Sequence, residues 1–167
     1  MATMRPCERV GLDFLGTAPH RFRNSVELDV SPDQLWDVLT DAAAWPEWAS
    51  VITRVTWTSP EPHGVGTTRT VAMRGGLVGE EEFLAWEPGR RMAFRFNAAS
   101  TSAVRAFAEL YEIEPTPAGC RLTWTLAQEV GGPSRFTMPL GRPLLDIGFR
   151  RFLGNLQRYT ARRFATA

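Results

Sequence analysis

Residues 31–48 read SPDQLWDVLTDAAAWPEW, and the first nine of them carry the signals of a helix start. A serine hydroxyl just before a helix accepts from the third backbone N–H, which places Ser31 as the cap. Gln34, at that third position, closes a capping box by reaching back to the N–H of Ser31. Pro32 falls at the first helical position, where a missing N–H costs nothing. Val30 and Leu35 occupy the two positions of a hydrophobic staple. Leu35, Val38 and Leu39 then share one apolar face at helical spacing. Pro46 limits the following DAAAWPEWA to short helical pieces. Trp45 and Trp48 are too large to leave in water without a reason. They read either as core anchors between the short helices and a sheet or as part of a lid over an internal space.

On both sides of this segment the apolar period drops to two. A strand is expected upstream, from about Phe22 to Val30. Downstream, VITRVTWTS puts Val51, Val55 and Trp57 on one side and Arg54 and Thr56 on the other. PEPHGVG is a turn cluster and TTRTVAMR a second alternating run, followed by a hairpin turn at Gly75-Gly76. LVGEEEFLAWE, RRMAFRF, VRAFAELYEIE and CRLTWTLAQEV come next with short connections, as an antiparallel meander requires. Alternation is clearest at Met92, Phe94 and Phe96 and at Leu122, Trp124 and Leu126. One sheet face is therefore expected in the core and the other in water. PLGRPLLDIGFRRFLGNLQRYTARRF returns to helical spacing. Leu145, Phe149, Phe152, Leu156 and Tyr159 form its stripe, and the regular helix is expected from about Pro139 or Arg142 to Phe164.

Composition narrows the chemistry. The 167 residues make one domain's worth of chain, 44% hydrophobic and 22% charged, a globular balance. All nineteen basic residues are arginine, against eighteen acidic ones. Without lysine there is no Schiff base and no P-loop, and a net charge of +1 argues against a nucleic-acid partner. Two cysteines and two histidines are too few for a disulfide framework or a zinc cluster. No apolar run is long enough to span a membrane, and residues 1–19 lack the apolar core of a signal peptide. The expected setting is cytoplasmic and reducing, with Cys7 exposed and Cys120 in the core. Residues 1–19 read as an arm whose Val10, Leu12, Phe14 and Leu15 are apolar enough to dock on the domain formed by residues 20–167.

The order of one strand, two short helices, six further antiparallel strands and one long amphipathic helix resembles the START-like, polyketide cyclase/dehydrase (SRPBCC) superfamily. So do SPDQLWDVLTDAAAWPEW, GVGTTR, AWEPGRRMAF and GCRLTWTL. The resemblance spans about residues 20–165. It implies the α+β helix-grip fold, also seen in the birch-pollen-allergen group: a curved seven-stranded antiparallel sheet wrapped around the C-terminal helix. It implies a ligand cavity between the sheet and that helix.

The presumed inner face is rich in rings. Trp57, Phe83, Phe94 and Phe96 come from the first strands, Phe107, Tyr111 and Trp124 from the last two. Leu145, Phe149, Phe152 and Leu156 face them from the helix. Alternation places Arg69 with Val71 and Met73, and Glu109 with Phe107 and Tyr111. Within the acidic run Glu80–Glu82, Glu81 shares the parity of Phe83. A carboxylate and a guanidinium facing one cavity can hold a polar head group or pair with each other. His63, in a turn, and His20 carry no catalytic pattern, and no Ser-His-Asp or metal-ligand spacing occurs.

The leading expectation is a carrier or sensor binding a hydrophobic small molecule: a lipid, polyketide or aromatic metabolite. The alternative is a cofactor-independent cyclase or dehydratase with Glu109, Arg69 and Tyr111 handling protons. A protein-interaction domain with a filled core is the third reading. No cofactor or metal is expected, and the protein is read as a monomer or homodimer. The arginines of the last helix read as a solvated face in preference to a peripheral membrane contact.

Overall fold

The computed structural model describes residues 3–132 and 134–165, with residues 134–142 described by their backbone alone. In chain order the elements are β1 (Arg5–Pro6), α1 (Phe14–Thr17), β2 (His20–Leu28), α2 (Pro32–Thr40), α3 (Trp45–Trp48), β3 (Ile52–Trp57) and β4 (Thr68–Met73). After a 3-10 turn (Arg74–Gly76) come β5 (Val78–Glu87), β6 (Arg91–Ala99), β7 (Val104–Thr116), β8 (Gly119–Val130) and α4 (Ser134–Arg163). Seven antiparallel strands run in the order β2-β8-β7-β6-β5-β4-β3, and the two-residue β1 pairs with β6. The sheet curls around α4, giving the α+β helix-grip fold. A single curled sheet leaves one apolar face open, and α4, with α2 and α3, closes it.

The capping box forms as the sequence dictates. The Gln34 N–H donates to Ser31 Oγ at 3.2 Å and the Ser31 N–H donates to Gln34 Oε1 at 2.9 Å. Val30 and Leu35 are both buried beside it. Leu35, Val38 and Leu39 pack with Phe22, Leu28, Met92, Ile113 and Leu122 of the sheet and with Leu153 and Leu156 of α4.

Several boundaries differ from the sequence reading, each for a local reason. The first strand starts at His20 and stops at Leu28, because its ladder with β8 runs from His20↔Gln128 to Leu28↔Cys120. A bulge between Ile52 and Arg54 reverses the expected parity there. Ile52 packs on the core, while Val51 is 36% exposed. The last helix begins at Ser134 and carries both Pro139 and Pro143, each of which forgoes one backbone hydrogen bond. Leu153 and Thr160 join its buried stripe. The Thr160 hydroxyl is satisfied locally, donating to the Leu156 carbonyl at 3.0 Å.

The outer face of the sheet is drier than alternation alone predicts. Ala85, Ala93, Ala108 and Ala127 are buried there beneath Leu15 and Ala18, with Val10 and Phe14 packed around them. Four small side chains on adjacent strands let the N-terminal segment lie close. β6 and β7 pair only through Arg91–Arg95, and beyond that point the N-terminal segment enters between them. The Cys7 N–H donates to the Asn97 carbonyl at 2.9 Å and the Glu8 N–H to the Arg105 carbonyl at 2.8 Å. This insertion buries Cys7 against Phe96 and Ala99, so the expectation of an exposed thiol is corrected; Cys120 is fully buried in the main core.

Replacing the cap should cost the fold a recognisable amount. Ser31→Ala leaves the N–H of Gln34 without its partner and is expected to lower stability by about 1 kcal/mol. Urea unfolding should show this as a lower midpoint with an unchanged slope.

Candidate functional site

An internal cavity of about 170 Å³ lies between the curled sheet and α4. Arg69, Val71 and Met73 of β4, with Glu81 of β5, form one wall. Phe94 and Phe96 of β6 and Phe107, Glu109 and Tyr111 of β7 form the next. Trp124 and Leu126 of β8, then Phe149 and Phe152 of α4, continue the lining, and Trp45, Trp48, Ala49, Val51 and Ile52 close it. Of these residues only Val51 is exposed, while Ile52, Met73, Phe107 and Phe152 are half-buried. The cavity therefore reaches solvent between the α3–β3 turn and α4.

A ladder of rings crosses the sheet floor. Phe83 meets Phe94 at 5.4 Å between ring centres, Phe94 stacks on Tyr111 at 6.0 Å, and Tyr111 stacks on Trp124 at 5.9 Å. Phe149 meets Trp124 edge-on at 5.0 Å, extending the ladder onto α4. Gly79 makes room for another part of this wall. A Cβ there would lie 2.6 Å from the Phe96 ring, which stacks on Phe107 at 4.2 Å.

Two polar constellations interrupt the apolar lining. Arg69 and Glu81 are direct cross-strand partners, and the guanidinium Nε donates to Glu81 Oε2 at 2.5 Å. Both side chains are at most 5% exposed. The Arg69 guanidinium carbon sits 4.5 Å from the ring centre of Trp45, 4.7 Å from Phe94 and 5.0 Å from Phe83, so ring faces surround the cation. Glu109 has different partners. Tyr111 Oη donates to Glu109 Oε2 at 2.6 Å, and Trp124 Nε1 donates to the same oxygen at 3.1 Å.

Burial sets the charge states. Desolvation pushes Glu109 up to about 8, with the nearby Glu81 carboxylate adding to the rise and the Tyr111 and Trp124 hydrogen bonds opposing it. Burial likewise raises Glu81, against the pull of Arg69, and holds Tyr111 well above the ordinary phenol range. At neutral pH Glu109 is thus a carboxylic acid. Oε2 accepts twice, so the proton belongs on Oε1, which has no partner among the described residues. The site presents one neutral O–H donor in a largely apolar space, along with two buried N–H donors, Arg69 Nη1 and Trp48 Nε1, that have no partner among the described residues.

Most residues singled out by alternation meet at this cavity, but four do not line it. Trp57 stacks on His63 at 4.1 Å in a separate outer groove with Trp36, Trp86, Glu61 and Pro62. Phe83 lies behind Arg69, Leu156 is fully buried core, and Leu145 packs against the core. The cavity also uses residues outside the expected set: Trp45, Trp48, Ala49, Val51, Ile52 and Leu126. Leu126 shares the parity of Trp124 and was accessible to the same argument. Trp45 and Trp48 take the lid position, one of the two readings of those residues, and the bulge after Ile52 turns Ile52 inward. Among the described residues, no group of His, Cys, Asp and Glu side chains could hold a metal ion.

Comparison with known proteins agrees with this architecture. Residues 19–161 match the family described as polyketide cyclase / dehydrase and lipid transport. The chain belongs to that family. Within the polyketide cyclase/dehydrase and lipid transport family, uncharacterized proteins of Mycobacterium tuberculosis and Mycobacterium bovis are 63% identical over 164 residues, covering 98% of each chain. Among solved structures, a Thermus thermophilus protein superposes with a TM-score of 0.72 at 16% identity, over 87% of this chain and all of its own. A START superfamily protein of Mycobacterium smegmatis gives 0.65 at 14% identity, over 86% of this chain and 96% of its own. The family match supports a ligand-binding or cyclase-like function, and the solved structures support the fold.

The protonated state of Glu109 has a consequence for stability. An acid whose pKa is raised on folding stabilises fully below its unfolded value, near 4.3, and that contribution is lost as pH rises toward 8. Stability should therefore fall by about 1.4 kcal/mol per pH unit across that window for this one group. Glu109→Gln should remove that share of the slope, leaving any part due to Glu81. Urea unfolding of both proteins at pH 5, 6, 7 and 8 measures the difference.

Proposed function

We propose that the protein binds a small, uncharged, ring-bearing molecule in the cavity between the sheet and α4, as a carrier or sensor. The observation that carries this reading is the largely apolar cavity with the neutral carboxyl of Glu109 at its wall. Size selects within the hydrophobic class. Pockets for drug-sized ligands run to about 300–1,000 Å³, whereas a cavity of about 150 Å³ lined by apolar side chains accepts benzene. The space of about 170 Å³ fits one or two rings better than a long acyl chain. Charge selects further, because Arg69 is already neutralised by Glu81. A ligand carbonyl or phenol oxygen facing Glu109 Oε1 gains a hydrogen bond, while a ligand carboxylate adds an uncompensated buried charge.

A cyclase-like activity is the second reading, favoured by one observation. A carboxyl titrating near 8 releases and recovers a proton close to working pH, as a general acid or base must. In enolisation the ionised fraction of Glu109 takes an α-proton from a bound carbonyl compound, becoming the acid, and returns that proton to the enolate. Tyr111 and Trp124 hold the carboxylate form by donating to Oε2.

Three compounds of one shape separate these ideas: naphthalene, 2-acetonaphthone and 2-naphthoate. The ketone is expected to raise the melting temperature most, the hydrocarbon less, and the carboxylate not at all. Glu109→Gln keeps an N–H donor, so ketone affinity should stay within about threefold for a carrier. In heavy water, an enzyme should accelerate deuterium uptake at the ketone methyl, and Glu109→Gln should abolish it while binding persists. Failure of all three compounds to bind would remove the cavity reading.

A further inference from the structure

We propose that the exposed side of α4 docks on an anionic lipid surface, presenting the cavity to the bilayer. Charge in this chain is strongly segregated. Seven of the nineteen arginines and only one of the eighteen acids, Asp146, lie within Ser134–Arg163. The helix thus carries +6 and the remainder of the chain −5, a division hidden in a net charge of +1. Such a dipole orients a protein toward a negative surface before contact.

Many arginines of the sheet have acidic partners, whereas several on the helix have none among the described residues. Arg23, Arg69, Arg91, Arg95, Arg105 and Arg121 each pair with a glutamate. On α4, Arg163 pairs with Asp41, but Arg150, Arg151 and Arg162 are exposed and have no acidic partner among the described residues. Their charge is available to an external anion.

A second feature selects a bilayer over a merely acidic partner. Leu144 and Ile147, one helical turn apart, are 75% and 64% exposed. Large apolar side chains at that exposure gain from entering the boundary between headgroups and acyl chains, next to a basic stretch that holds the headgroups. The same helix contributes Phe149 and Phe152 to the cavity, and exposed Val51 lies at the cavity rim. An apolar ligand partitions into the bilayer, so a carrier or enzyme that docks by this helix meets its ligand where it is concentrated.

Co-sedimentation with vesicles tests the assignment. The full chain should pellet with phosphatidylcholine vesicles containing one-third phosphatidylglycerol and remain in solution with phosphatidylcholine alone. Arg150→Glu with Arg151→Glu should lower partitioning more than tenfold, since each basic residue near such a surface contributes roughly fivefold. Leu144→Ser with Ile147→Ser should lower it several-fold at unchanged charge. All these side chains are exposed, and each variant should still bind 2-acetonaphthone like the unaltered protein, which separates loss of docking from loss of the cavity. Equal binding to neutral vesicles, no binding to anionic ones, or indifference to the arginine pair would overturn the proposal. So would binding to duplex DNA as tight as to vesicles with no effect of the leucine–isoleucine pair, because the face would then be a general anion site.

Discussion

Arg69 and Glu81 face each other across β4 and β5, and the geometry of the interior is organised around satisfying that pair away from water. Breaking such a pair by removing one partner typically costs about 3–5 kcal/mol, because the other charge is left buried and alone. The rings of Trp45, Phe83 and Phe94 around the guanidinium follow from the same constraint. They offer a cation a favourable surface that brings in no further water. α3 is thereby tied to the sheet through Trp45, whose Nε1–H donates to the Leu39 carbonyl at 3.0 Å at the end of α2. The buried pair thus helps fix where the short helices sit, and so where the cavity closes.

The pair also explains why the second carboxyl behaves differently. Glu109 shares the interior with Glu81 but has no cation of its own. Two hydrogen bonds from Tyr111 and Trp124 are not enough to hold it ionised against desolvation and a neighbouring negative charge. One carboxylate takes the guanidinium, and the other keeps its proton. Divergent states for two nearby acids are what acid–base chemistry requires, and also what a hydrogen-bond donor for a neutral ligand requires.

The sequence made much of this legible. The capping box at Ser31, the hairpin at Gly75-Gly76 and the alternation of Met92, Phe94 and Phe96 each mark a feature that local physics determines. Alternation likewise places Glu109 and Arg69 on the inner face, since the β7 bulge falls before Phe107 and leaves the parity beyond it intact. Less accessible was which acid Arg69 would take. Arg69 and Glu81 are equidistant from Gly75, so the hairpin register held the answer once the turn was identified. Bulges were not readable. The bulge after Ile52 exchanged Val51 for Ile52, and the one at Phe83/Ala85 put Ala85 among the outer alanines while Trp86 packs inward. Nor does pattern alone reveal that Cys7 enters between two parting strands. That is a tertiary event, set by β6 and β7 ceasing to pair beyond Arg95.

Specificity in so small a space has to come from polar groups. An apolar wall distinguishes ligands differing by one methylene by only about 1–3 kcal/mol, whereas a buried donor left without a partner penalises the wrong ligand far more. Most strong polar atoms on the inner face are already committed; among the described residues the buried Arg69 Nη1 and Trp48 Nε1, and Glu109 Oε1, are not. Arg69 Nε is held by Glu81, and the Tyr111 and Trp124 donors are held by Glu109. Glu109 Oε1 is the position at which a ligand oxygen completes the network. A ligand seated there sits against the face of the Tyr111–Trp124 stack, with its oxygen placed by the one acid whose proton is exchangeable near neutrality. Carriage and catalysis therefore use the same residue in opposite states. Carriage uses the protonated acid as a donor, whereas removing a proton from the bound molecule needs the carboxylate, whose share grows as pH approaches 8.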